Sequence, residues 1–99
     1  MLNLNKTQED GKLIVKLEGR LDTNTAPELE KSLQDSLADT TELILDCEKL
    51  DYISSAGLRV LLSTQKIMNQ QGSMKLLHVS ESIMEILEVT GFVDILTIE

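Results

Sequence analysis

The sequence predicts a single α/β domain spanning residues 1–99, with a mixed central sheet in the order β-β-α-β-α-β-α-β and helices packed mainly on one side. Three observations predict it. Apolar and polar residues alternate on either side of Glu9-Asp10-Gly11, which marks an antiparallel hairpin. An unbroken apolar triplet, Leu43-Ile44-Leu45, reads as a strand covered on both faces. Helical patterns then alternate with strand-like runs, and right-handed crossovers between such runs build parallel pairs.

Leu2, Leu4 and Lys6 alternate with Asn3, Asn5 and Thr7, as in an edge strand. Gly11 is free to take positive φ in the turn. Leu13, Val15 and Leu17 face one side of the second strand, with Lys16 and Glu18 on the other, and Gly19-Arg20-Leu21-Asp22 ends it. At Thr25-Ala26-Pro27-Glu28, Thr25 caps a helix, Pro27 fits its first turn and Glu28 completes a capping box. Leu29, Leu33 and Leu37 make its buried stripe. Glu42 to Cys47 is the third strand. A helix from about Ser55 to Gln71 comes next, closed by Gly72. At ~100° per residue, Ala56, Val60, Leu61, Thr64, Ile67 and Met68 form its core arc, with Arg59, Ser63, Lys66 and Gln70 opposite. Leu58 and Leu62 fall on a flank, against a neighbouring helix or exposed for a partner. Met74 to Val79 is the fourth strand, Ser80-Glu81-Ser82 opens a third helix capped by Gly91, and Val93 to Ile98 is a short last strand.

Length and composition narrow the function. Ninety-nine residues hold one core. Tyr52 and Phe92 are the only aromatics, so that core is aliphatic. The formal charge of −8 argues against nucleic acid and against anionic lipid, and suits a partner with a basic patch. Cys47 is the only cysteine, so no disulfide forms within the chain and cytoplasmic residence is expected. No apolar run has signal-peptide length, and none approaches the ~18 residues that span a membrane.

Catalytic constellations are missing. A nucleophilic triad needs a base beside its nucleophile, and the only histidine, His78, falls near the end of the fourth strand, where a lone histidine reads as a packing or surface residue. No Cys/His cluster has metal-ligand spacing. Gly57 stands alone rather than in a phosphate-cradling loop. No enzyme activity, cofactor or metal is expected. The chemical interest lies in Leu50-Asp51-Tyr52-Ile53-Ser54-Ser55-Ala56-Gly57-Leu58-Arg59-Val60-Leu61-Leu62. Here two serines leave a strand at the start of a helix, where free N–H groups and the helix dipole favour negative charge. One serine simply caps the helix, or one presents a hydroxyl for modification.

The segment from Asp51 to Leu62 resembles the signature of STAS domains, in particular the bacterial anti-sigma factor antagonists. Gly19-Arg20-Leu21-Asp22 with Thr25-Ala26 resembles the family's Gly-x-Leu-Asp segment and first helix. Leu43-Ile44-Leu45-Asp46, the stretch from Gln71 to Leu76, and Val89-Thr90-Gly91-Phe92 resemble its other landmarks in order and spacing. The resemblance implies a partner switch. The unphosphorylated antagonist binds an anti-sigma factor that is also a serine kinase, which frees a sigma factor for transcription. Phosphorylation of one serine blocks that binding, and a serine phosphatase restores it. The family's Asp-Ser-[Ser/Thr]-Gly pattern falls on Ser54-Ser55-Ala56-Gly57, which implies Ser55 as the acceptor, ahead of Ser54. Ser54 stands where the family usually has Asp, and Ala56 where it has Ser or Thr. The expected interface comprises Asp22, Ser54, Ser55, Ala56, Gly57, Leu58, Arg59 and Leu62. The alternative is a STAS scaffold without phosphorylation, such as a subunit of a lipid-transport ATPase.

Overall fold

Strands β1 (Leu2–Glu9) and β2 (Lys12–Leu21) pair antiparallel in the computed structural model, which describes residues 1–99. The two-residue turn between them has positive φ at both positions, 48° at Asp10 and 83° at Gly11. Such a turn matches the twist of the strands it joins. Strand β3 (Glu42–Ile53) lies parallel to β2, and β4 (Ser73–Leu77) lies parallel to β3. The sheet order is β1-β2-β3-β4. Helices α1 (Ala26–Gln34), α2 (Ser55–Gln71) and α3 (Glu81–Val89) contribute to one hydrophobic cluster with the strands. Leu13, Val15, Leu17 and Leu21 supply the β2 side of it. Each fully buried leucine contributes about 1.5–3 kcal/mol.

Ile44 is the exception to the strand pattern. It is buried, yet it lies outside that cluster and pairs across the sheet with Ile14 and Lys75. Leu43 and Leu45 join the cluster and Ile44 is buried on the opposite face, so this part of β3 is covered on both faces, as its apolar triplet predicts.

β3 also runs six residues beyond the Cys47 boundary expected from sequence. Its pairing with β2 shifts between Lys16 and Glu18, and again between Gly19 and Arg20. At each shift β3 carries one extra residue, the mark of a bulge. The bulges fall at Cys47–Glu48 and at Asp51 and still return Leu50 and Ile53 to the core. The long strand then delivers Ser54 to the same sheet edge where β2 ends.

Two terminal expectations are corrected. Thr25 forms no side-chain cap on α1, so the capping box is absent. Its hydroxyl instead donates to the Arg20 carbonyl at 2.7 Å and accepts from the Asp22 N–H at 2.8 Å. The last strand is also replaced. Gly91, at φ 80°, leads into a 3-10 turn at Phe92–Asp94. The carbonyls of Gly91 and Phe92 accept from Asp94, Ile95 and Leu96 N–H groups, so local bonds consume the groups a strand would use. Only Ile98 bridges to β4, at Leu76.

Candidate functional site

The parallel strands β2 and β3 end side by side, because the Ser54 N–H donates to the Leu21 carbonyl at 2.8 Å. Sites in α/β sheets gather at this C-terminal edge, where the chain leaves strands for loops and helix starts. Ser54 is the N-cap of α2, and its Oγ accepts from the Gly57 N–H at 3.4 Å. Its carbonyl accepts from the Leu58 N–H at 2.9 Å. The amides of Ser55 and Ala56 then have no acceptor within the protein. Ser55, the first residue of α2, is exposed, and its hydroxyl makes no hydrogen bond. The two serines therefore divide the work: one hydroxyl closes the helix and the other faces solvent beside two free N–H groups.

Gly57 explains the tightness of this turn. A Cβ there would lie 2.7 Å from Leu21 Cγ and 3.0 Å from Ile53 Cγ1. Only a residue without a side chain lets the helix start sit on the ends of both strands. This contact corrects two expectations about a partner. Gly57 is buried and acts from beneath the loop rather than at its surface. Leu58 is only 5% exposed, so it belongs to the core and not to an accessible flank. Ile67, expected in the core arc, is 40% exposed. Leu62 and Ala56 are half-buried, and Arg59, Ser63, Lys66 and Gln70 are exposed.

Asp22 stands at the end of β2, beside Ser54. Its Oδ1 accepts from the N–H groups of Asn24 at 3.0 Å and Thr25 at 3.1 Å, and from the Thr25 hydroxyl at 3.2 Å. Its Oδ2 lies 3.7 Å from Arg20 Nε. Desolvation opposes ionisation of this carboxyl, but the hydrogen bonds from Thr25 and Asn24, with the Arg20 charge, together hold it below its ordinary 3.8. The turn is therefore supported above that value and loosens as the pH falls through the lower one. Asp22 is thus a structural cap whose second oxygen faces Arg20 on a partly exposed side chain.

Arg20 and Tyr52, neither of them picked out from the sequence, frame the same edge. They are cross-strand partners, and the guanidinium lies 4.4 Å from the ring centroid. The available signal was Tyr52 itself, one of two aromatics in the chain and two residues before the serines.

Other chemistry lies elsewhere. Burial, followed by the Asp46 charge, pushes the Cys47 thiol up to about 12. His78, exposed and at φ 57°, places Nδ1 3.0 Å from Asp46 Oδ1. That hydrogen bond and the Asp46 charge raise the histidine above 6.5. Desolvation opposes ionisation of Asp46, but the His78 and Glu48 hydrogen bonds and the charges of His78 and Lys16 lower it below 3.8. The pair is therefore strongest between those values and weakens as pH rises through the histidine's raised one. No group of three or more His, Cys, Asp or Glu could hold a metal ion, and no helix is long and apolar enough to cross a membrane.

This edge, with a capped helix start and an exposed hydroxyl on a four-stranded mixed sheet, defines a regulatory binding domain. The STAS domain family model matches residues 3–99, and the chain belongs to that family. Among its relatives are the anti-sigma-B factor antagonist of Staphylococcus aureus and BtrV of Bordetella bronchiseptica, which is named as an anti-sigma factor antagonist. The first is 35% identical over 96% of this chain and 90% of that protein. The second is 38% identical over 95% of this chain and 83% of that protein. The fold matches the crystal structure of an anti-sigma factor antagonist from Mycobacterium paratuberculosis, with TM-score 0.89 and 21% identity over 99% of this chain and 85% of that one. It also matches phosphorylated SpoIIAA, a Bacillus cell fate determinant, with TM-score 0.75 and 17% identity over 100% of this chain and 91% of that one. The family is regulatory rather than catalytic.

Proposed function

We propose that this STAS domain is an anti-sigma factor antagonist whose docking is set by the covalent state of Ser55. The unmodified domain binds an anti-sigma factor and so frees a sigma factor for transcription. Asp22 Oδ2, Ser54, Ser55, Ala56, Arg59 and Leu62 form the contact surface. A serine kinase transfers the γ-phosphoryl group of ATP to Ser55 Oγ, and a serine phosphatase hydrolyses it off again.

One observation carries the choice of serine. The Ser54 hydroxyl is engaged with the Gly57 N–H, whereas Ser55 is exposed and unbonded. A phosphate adds ~1.5–2 negative charges at neutral pH. The helix start offsets part of that charge within the domain. A partner surface matched to a neutral hydroxyl must instead accommodate added bulk and charge. Binding is lost while the fold persists. The likeness of this chain to SpoIIAA in both its unphosphorylated and phosphorylated forms, at TM-scores of 0.76 and 0.75, supports a switch that leaves the fold intact.

The test is incubation with the cognate kinase and ATP, followed by mass spectrometry of the peptide containing both serines. Phosphate is expected on Ser55, retained in Ser54→Ala and absent in Ser55→Ala. Modification of Ser54 instead, or of neither serine, overturns the reading.

A further inference from the structure

We propose that a phosphate on Ser55 is held within the domain by Arg59, so that modification also withdraws the guanidinium that this part of α2 offers a partner. The inference rests on Ser55 being the modified residue.

Ser55 opens α2 and Arg59 stands four residues later, and both are exposed. Four residues advance a helix by ~6 Å and return the side chain to within ~40° of the same face. Side chains on a helix lean towards its N-terminus, which puts Ser55 within the reach of a guanidinium at position 59. An anion four residues N-terminal to a cation is the favourable order for such a pair.

The cation is also uncommitted. The ion pairs of the domain are Arg20–Asp22, Lys49–Glu18, Lys75–Glu42, Lys75–Glu99 and His78–Asp46, and Arg59 is in none of them. Arg20, the other arginine at this edge, is held by Asp22 and by the Tyr52 ring. Lys49 is held by Glu18. The first turn of α2 contains no acidic residue to compete for Arg59. A guanidinium fork matches phosphate oxygens two at a time. Arg59 is thus free for a partner's carboxylate when Ser55 carries a hydroxyl, and engaged when it carries a phosphate.

The experiment installs phosphoserine at position 55 during synthesis, so no kinase is needed, and tracks the phosphate by phosphorus NMR against pH. The ordinary second ionisation lies near ~6. In Arg59→Gln the midpoint is expected to rise by about 0.3 of a unit over the wild-type chain, the scale of an exposed i, i+4 pair. Arg59→Lys should restore part of the difference, and Lys66→Gln, further along the helix, should leave the midpoint where it is. Equal midpoints in the wild-type and Arg59→Gln chains overturn the pairing. Failure of a kinase to modify natural Ser55 overturns the proposed function instead, and leaves this titration readable.

Discussion

Helices α2 and α3 begin with the same device and differ in the residues of their first turn. Ser54 and Ser80 are both N-caps, accepting from the N–H three residues on at 3.4 Å and 3.3 Å. The next position is Ser55 in α2 and Glu81 in α3. Two residues further on, α2 has Gly57 pressed against Leu21 and Ile53, whereas α3 has Ile83, only 1% exposed. The fold already carries a permanent negative charge at one helix start and leaves the equivalent place in the other neutral. A phosphate on Ser55 would make the second resemble the first, which is why modification need not disturb packing.

The inward-facing position gives the largest contrast. Ile83→Ala is expected to cost about 2–5 kcal/mol, the ordinary loss for a buried isoleucine. Gly57→Val should cost about 1–3 kcal/mol by the opposite mechanism, overpacking against Leu21 and Ile53. Urea unfolding of both variants checks this pair, and a neutral Gly57→Val would mean the two strand ends yield more easily than their contacts imply. The caps should be alike. Ser54→Ala and Ser80→Ala should each cost about 0.5–1 kcal/mol in the same assay, at the low end for caps because both bonds are long. A much larger loss for Ser54 alone would break the equivalence. The charged position gives the smallest effects, of opposite sign. Ser55→Glu should stabilise, and Glu81→Gln destabilise, each by about 0.3–1 kcal/mol at low salt, shrinking as salt is added.

The same two helices separate features legible in the sequence from features hidden in it. Strand alternation around Leu13, Val15 and Leu17 and the serine cap of α2 depend on local pattern, and both appear in the structure. The buried face of α2 does not depend on pattern alone. Hydropathy counting gives Gly57 no weight, yet it packs against Leu21 and Ile53, and on the helix it opens Leu58 lies in the core and Ile67 outside it. The Arg20–Tyr52 stack depends on two bulges that set cross-strand register, and no residue spacing encodes that. The C-terminal run reads as a strand because Val93, Ile95 and Ile98 have strand propensity. The left-handed turn at Gly91 diverts it. The proposed acceptor is readable in the sequence as a choice between neighbours, and burial and hydrogen bonding then favour one of them.

The most direct test is calorimetric titration of the anti-sigma factor into the unmodified domain and into the same domain fully phosphorylated on Ser55, with thermal unfolding recorded on both samples. At least ~100-fold weaker binding after phosphorylation, equivalent to about 2.7 kcal/mol, with an unfolding midpoint unchanged or higher, is the predicted result. Equal affinity in the two samples, or a phosphorylated domain that no longer unfolds cooperatively, would contradict it.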